Sequence, residues 1–352
     1  MVKIGNREID INNEPYIVAE VGINHNGDLN KAFEMIKVAK KSGVDAVKFQ
    51  TFKAEEFVND STQMFSYKSQ GQEITEPMLD MFKRYEFTKE EWQSIKSKCD
   101  ELGITFLSTP QNESDLELLM QIGIDAIKVG SDDFTNLPLL KSYAKIGLPL
   151  IISCGMADMA EVYETLNTLD AFNGESVILL LCTSQYPTPV EDVNLNKLKT
   201  LASSFPNITL GFSDHTQGFL ASSLAITYGA RFFEKHFTLD NDLPGPDHWF
   251  SENPASLEEW VNAIRMSYKM LGDSIIRPTK AEEQMKIIAR RHIVALNDIN
   301  EGEELNSSNL VLRRTGEPGL VPKFYEEIQG SKALKNISKG EMIRLGDFYV
   351  GK

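Results

Sequence analysis

Eight short apolar runs, each followed by a stretch with helical spacing, limit what this chain can fold into more than any other feature. They begin at Tyr16 (YIVAEVG), Val44 (VDAVKFQ), Ile104 (ITFLS), Ala126 (AIKVG), Pro149 (PLIIS), Val177 (VILLLC), Ile208 (ITLGFS) and Arg231 (RFFEKHF). The runs are mostly apolar rather than alternating, the pattern of parallel strands covered by helices. The segments between them are amphipathic. KAFEMIKVAKKSG sets Phe33, Ile36, Lys37 and Lys40 at helical spacing and stops at Gly43, and EEWQSIKSKCDELG stops at Gly103. Eight strand–helix units within roughly 270 residues make the count of a (β/α)8 TIM barrel, an α/β fold. A doubly wound open sheet is the alternative that counting alone leaves open.

After MLGDSIIRPTKAEEQ the texture changes. From His292 the chain shows short strands and turns, and NDINEGEEL at Asn297 and KNISKGEMI at Lys335 share the pattern Ile-x-x-Gly-Glu. The reading is a barrel over residues 1–274, a charged helical linker over 275–290 and a small β-rich module over 291–352. Such a module is too small for a large core of its own and is expected to pack on something.

The formal net charge of −15, from 51 acidic against 36 basic residues, argues against nucleic acid or an anionic membrane as partner. An anionic ligand would have to be drawn in by lysines within the site. The three cysteines, Cys99, Cys154 and Cys182, have neither disulfide-framework nor zinc spacing. The N-terminus lacks a signal-peptide apolar core, and no run approaches a membrane span, so a reducing cytoplasm is the expected location.

Active sites of barrels open at the C-terminal ends of the strands. Polar residues gather at those positions: Glu20, Asn24 and His25 after the first run, Lys48 and Gln50 on the second, Thr109 on the third, and Lys128, Ser131, Asp132 and Asp133 on the fourth. Ser153 and Cys154 follow the fifth, Ser184 and Tyr186 the sixth, Ser213, Asp214 and His215 the seventh, and Glu234 and His236 the eighth. Two groupings emerge. Lys48, Lys128, Thr109, Ser131, Ser153, Ser184 and Ser213 are cations and hydroxyls suited to an oxyanion such as phosphate. A lysine in such a place also admits a Schiff-base reading. His215 and His236, on neighbouring final strands with Asp214, Glu234 and Asp247 close in sequence, suit a divalent metal with positions left open for substrate. His25 is a further candidate polar contact, and His292 reads as structural.

The ordered set AEVGINHNGD, VKFQTFKA, FLSTP, IKVGSDDFTNLPLL, SQYPTPVEDVNL, GFSDHTQG, FFEKHFTLD and PGPDH resembles the sialic acid synthases, the NeuB family, over the whole chain, and the part from about His292 to Phe348 resembles that family's antifreeze-like SAF domain. The resemblance implies an N-acetylneuraminate synthase-type reaction, in which phosphoenolpyruvate condenses with an N-acetylmannosamine-type aldehyde and phosphate is released. It also implies manganese or magnesium on His215 and His236, and Lys48, Thr109, Lys128, Ser131, Ser153, Ser184 and Ser213 around phosphoenolpyruvate. Glu20 and Glu234 take catalytic roles, and Gln50, Asp133, Tyr186 and Asp247 contact the sugar. A homodimer with swapped C-terminal domains would supply Arg314 in trans. The chain departs from the family pattern at Gln111, Asp132-Asp133, Cys154, Leu181, Ser184 and Thr315, mostly around the expected pocket, which bears on the sugar rather than the reaction. A legionaminic or pseudaminic acid synthase acting on a 2,4-diacetamido-6-deoxyhexose is the alternative within the family. Outside it stand a Schiff-base aldolase on Lys48 or Lys128 and a non-catalytic sugar-binding protein.

Overall fold

All eight runs are strands of one parallel sheet in the computed structural model, which describes residues 2–349. We number them β1 (Tyr16–Gly22), β2 (Ala46–Thr51), β3 (Thr105–Pro110), β4 (Ile127–Val129), β5 (Leu150–Ser153), β6 (Val177–Cys182), β7 (Thr209–Asp214) and β8 (Phe232–His236). The hydrogen-bonded order is β3-β2-β1-β8-β7-β6-β5-β4, and β3 lies beside β4, so the sheet nearly closes on itself as a barrel. The open-sheet alternative is thereby set aside.

Strand periodicity explains how one sheet serves two purposes. Residues two apart face the same side. Along β8, Phe232, Glu234 and His236 share the interior face, while Phe233 joins the layer between sheet and helices. The lower interior is apolar: Tyr16, Val18, Ala46, Leu107, Ile178 and Phe232 pack with Val2, Ile4 and Ile9. Those last three come from an N-terminal hairpin, Val2–Ile4 with Arg7–Ile9, that plugs the bottom of the barrel. One step further along the same strands the interior positions become Glu20, Lys48, Thr109, Lys128, Ser153 and Ser213. The apolar layer excludes water from below, and the polar layer above it forms the floor of a cavity.

Helix ends follow local chemistry. The helix Lys89–Leu102 begins with a capping box between Thr88 and Glu91 and stops at Gly103, whose φ of 62° is left-handed. The helix Leu29–Lys41 buries Ala32, Met35, Ile36 and Ala39. Lys37 and Lys40 therefore lie off the core face, and Lys40 Nζ donates to the Gly103 carbonyl at 2.7 Å. Two hairpins escape the sequence reading: the N-terminal plug, and Met64–Ser69 with Gln72–Pro77 between β2 and β3.

The chain divides into two compact units between Gly272 and Asp273. In the second unit the helix Lys280–Ala289 precedes a small core built on Ile293, Leu305, Leu310 and Ile343. The two halves of the sequence repeat pair with each other here. Ile299 and Ile337 exchange backbone hydrogen bonds at 2.8 Å in both directions, and Gly302 and Gly340 both adopt positive φ. Glu303 and Glu341 accept the backbone N–H of Asn300 and Ser338, closing equivalent turns. Among the described residues, no helix is long and apolar enough to cross a membrane.

Candidate active site

A cavity of about 320 Å³ opens at the C-terminal ends of the strands. Its floor is a buried charge network. Lys48 Nζ lies 2.9 Å from Glu20 Oε2 and 3.6 Å from Glu234 Oε2, and it donates to Thr109 Oγ1 at 3.3 Å. Lys128 Nζ donates to Ser153 Oγ at 2.7 Å and lies 3.9 Å from Glu234 Oε1, which also accepts from Ser213 Oγ at 3.1 Å. Gln50 Nε2 donates to Glu20 Oε1 at 3.2 Å. Buried charges survive only when paired in this way.

The two carboxyls are pushed apart. Burial raises Glu20 above its ordinary value; Lys48 opposes this and the neighbouring Glu234 charge adds to it. Burial alone would raise Glu234 too, but Lys128, Lys48 and His215 outweigh it and hold its carboxyl below the ordinary value. Two carboxyls with opposed shifts are the usual basis for an acid role and a charged role at one centre. Lys128 is lowered by burial, with Lys48 repulsion adding to the effect against Glu234.

Beside this floor two hydroxyls converge on a glycine. Gly155 N–H donates to Ser131 Oγ at 3.0 Å. A Cβ at Gly155 would stand 2.5 Å from Ser184 Oγ and 2.6 Å from Ser131 Oγ, so the two hydroxyls converge on a backbone that only glycine leaves bare. Sequence reasoning assigned both serines to the anion and placed Gly155 just beyond the end of β5 without giving it a role.

On the other side of the mouth the imidazoles of His215 and His236 face each other with ring centroids 5.5 Å apart. His215 Nδ1 donates to the Thr183 carbonyl at 2.8 Å, which fixes its tautomer and leaves Nε2 as the acceptor facing inward, 3.4 Å from Ser213 Oγ. His236 Nδ1 is buried without a hydrogen-bond partner, and Asp247 Oδ2 stands 3.8 Å from it. Burial, His215 and the nearby lysines keep His236 well below the usual imidazole range, hence neutral. Burial also lowers His215, but the Cys182 thiol and the Thr183 carbonyl outweigh it and leave a net rise. A neutral imidazole with an orphaned buried nitrogen, beside a second whose tautomer is fixed, fits a divalent cation. Among the described residues no group of three or more His, Cys, Asp or Glu side chains converges as a closed metal site, so such a cation would keep open positions. Tyr186 walls the pair, its ring 4.1 Å from that of His215.

Not every expected residue joins the cavity. Asp133 turns away, accepting from Asn136 Nδ2 at 2.8 Å, and Asp132 lines the cavity in its place. The two-residue alternation of strands ends with β4 at Val129, so spacing could not have said which of the two acids faces inward. His25 is a core residue: fully buried, stacked on Phe87 at 4.4 Å and accepting from Gly27 N–H at 3.0 Å. Cys154 is buried, with its thiol directed at the Leu180 carbonyl. Arg314 belongs to the second unit, exposed at the end of the strand Leu310–Arg314. Residues the sequence reading missed are Phe52, Phe57, Phe82 and Met156 on the cavity wall and Cys182 beside His215.

Comparison with known proteins bears on this site. The model of the NeuB family matches residues 35–276, and that of the SAF domain matches 290–348. The N,N'-diacetyllegionaminic acid synthase of Legionella pneumophila is 39% identical over 92% of this chain and 92% of its own. That of Campylobacter jejuni is 38% identical over 93% of this chain and 98% of its own. The crystal structure of N-acetylneuraminic acid (sialic acid) synthetase from Leptospira borgpetersenii, in complex with citrate, aligns with a TM-score of 0.72 and 32% identity, covering 81% of this chain and 94% of that one.

Proposed function

This chain belongs to the NeuB family of sialic and legionaminic acid synthases, and on that premise we propose that it condenses phosphoenolpyruvate with an N-acetylmannosamine-type aldehyde sugar to give a nonulosonic acid and phosphate. A carbon–carbon bond forms between the methylene carbon (C3) of phosphoenolpyruvate and the aldehyde carbon. The aldehyde oxygen takes up a proton, water adds its oxygen to the phosphate-bearing carbon (C2), and phosphate leaves from that carbon. The observation that carries the reading is one rim holding both the converging hydroxyls of Ser131 and Ser184 over Gly155 and the facing imidazoles of His215 and His236, of which His236 is held neutral.

In this reading Lys48, Lys128, Thr109, Ser153 and Ser213 hold the carboxylate and phosphate of phosphoenolpyruvate and fix its methylene carbon for attack. Glu20, whose carboxyl burial pushes above its ordinary value, is the group placed to give a proton near the reacting carbons, while Glu234 is held below its ordinary value between the two lysines. Gln50, Tyr186 and Asp247 face the sugar. His215 and His236 would hold manganese or magnesium, which when bound supplies Lewis-acid polarisation of a carbonyl. The second unit would be exchanged between two copies in a homodimer, each giving Arg314 to the other's site. The setting is a soluble biosynthetic one in the cytoplasm. The two legionaminic relatives favour a diacetylated sugar over N-acetylmannosamine itself.

Mass spectrometry of reactions holding phosphoenolpyruvate, manganese and each candidate sugar tests the proposal. The expected product has the mass of the sugar plus phosphoenolpyruvate plus water less phosphoric acid. A borohydride-trapped adduct on Lys48 or Lys128, with no such product, would instead establish a Schiff-base aldolase.

A further inference from the structure

We infer that Lys235, with the two carboxyls it joins, Asp214 and Glu252, is a positioning residue that holds the His215–His236 pair at its spacing from behind the sheet; this rests on the cation seat proposed above. Strand parity puts Lys235 on the outer face of β8, opposite Glu234 and His236. Its neighbours on that face, Phe233 and Phe237, belong to the apolar layer between sheet and helices. In that layer Lys235, Asp214 and Glu252 are all buried. Lys235 Nζ stands 3.1 Å from Asp214 Oδ2 and 3.6 Å from Glu252 Oε1, and it donates to the Thr216 carbonyl. None of these groups lines the cavity.

The cluster grips the backbone beside each imidazole. Asp214 Oδ1 accepts from the Thr216 N–H at 2.9 Å and from Thr216 Oγ1 at 2.7 Å, closing a turn that encloses His215. Ser222 Oγ donates to Asp214 Oδ2 at 2.6 Å and accepts from Trp260 Nε1 at 2.9 Å, which ties that turn to the helices Leu220–Thr227 and Pro254–Leu271. Glu252 N–H donates to the His236 carbonyl at 2.8 Å, and Glu252 Oε1 accepts from Gly218 N–H at 3.0 Å. One ammonium thus joins the loop that carries His215 to the strand that ends in His236. Packed apolar side chains of the same volume generally hold a core as well as a buried ion cluster, which returns in attraction little more than it loses in desolvation. What apolar contacts lack is direction. Two carboxyls and a carbonyl meeting at Lys235 fix distances and angles that dispersion leaves free, and two imidazoles sharing one cation need their separation fixed.

The test is manganese titration of the full-length protein without substrate, read by electron paramagnetic resonance below the unfolding temperature of every variant. Lys235→Met and Asp214→Asn should each weaken manganese binding by about tenfold or more, the usual effect of losing a group that orients a ligand. The spectrum of the ion still bound should broaden. Leu166→Ala, a cavity-forming change in the helix after β5, should lower Tm and leave manganese affinity and spectrum unchanged. If Lys235→Met fails to fold, Asp214→Asn decides, because it changes charge and donor pattern with almost no change in size. An Asp214→Asn or Lys235→Met protein that is less stable yet binds manganese as tightly as wild type, with the same spectrum, overturns this inference and leaves the cation seat standing. Equal weakening by Leu166→Ala overturns it too, since affinity would then follow stability alone. Wild type that binds no manganese overturns the seat, and the inference with it.

Discussion

His236 lies beside His215, ring centroids 5.5 Å apart, yet the two imidazoles are held in opposite electrostatic states: His236 is pushed down and His215 up. The pair is placed by strand parity, since His236 continues the interior face of β8 and His215 follows the end of β7 directly. If it seats a cation, manganese titration followed by electron paramagnetic resonance should show one tightly bound ion per chain. His236→Ala should lose that ion and the turnover together, and a His236→Ala protein with full manganese occupancy would remove the pair from the account.

Glu20 and Glu234 give a pH prediction. Glu20 keeps its proton to higher pH than a free carboxyl, so activity that needs the acid form persists above pH 4.5 and declines as pH rises through its raised pKa. Glu20→Gln should lower kcat by about 10²–10⁴ and abolish that alkaline limb. A Glu20→Gln profile parallel to wild type would assign the limb to another group.

Gly155 makes a steric prediction. A methyl group there meets Ser131 and Ser184 hydroxyls at 2.6 and 2.5 Å and displaces them. Gly155→Ala should raise the KM for phosphoenolpyruvate at least about tenfold, the loss of a good hydrogen bond to a charged group, with little change in Tm. An unchanged KM would mean the anion binds elsewhere.

Lys235 tests the outer side of β8. Buried away from the cavity, its Nζ lies 3.1 Å from Asp214 and 3.6 Å from Glu252, while Asp214 also accepts from Ser222 Oγ at 2.6 Å. Lys235→Met strands two buried carboxylates and should cost roughly 3–5 kcal/mol in urea denaturation of the barrel unit. A loss below about 1 kcal/mol, the range of a surface pair, would show that water reaches this network.

The strands were legible because parallel strands buried on both faces need unbroken apolar runs, as in Val177–Cys182. Their site-facing ends were legible because the break in that pattern, Glu234 to His236, falls where the barrel opens. The Met64–Ser69 hairpin was not, since its residues alternate between exposed and half-buried and its turn at Gln70-Gly71 is a weak signal. Asp133 was chosen over Asp132 by analogy alone, and the backbone beyond Val129 reversed the choice. The part played by Gly155, and the wall of Phe52, Phe57 and Phe82, stayed hidden because their meaning lies in contacts across strands, which one-dimensional spacing does not carry.

Phosphate release from phosphoenolpyruvate, followed with the sugar and the metal each present or withheld, tests the shared rim most directly. The account predicts release only when protein, sugar and divalent metal are together, one phosphate per acid formed, and its loss on dialysis against EDTA. Release that ignores the sugar, or persists undiminished without metal, would contradict it.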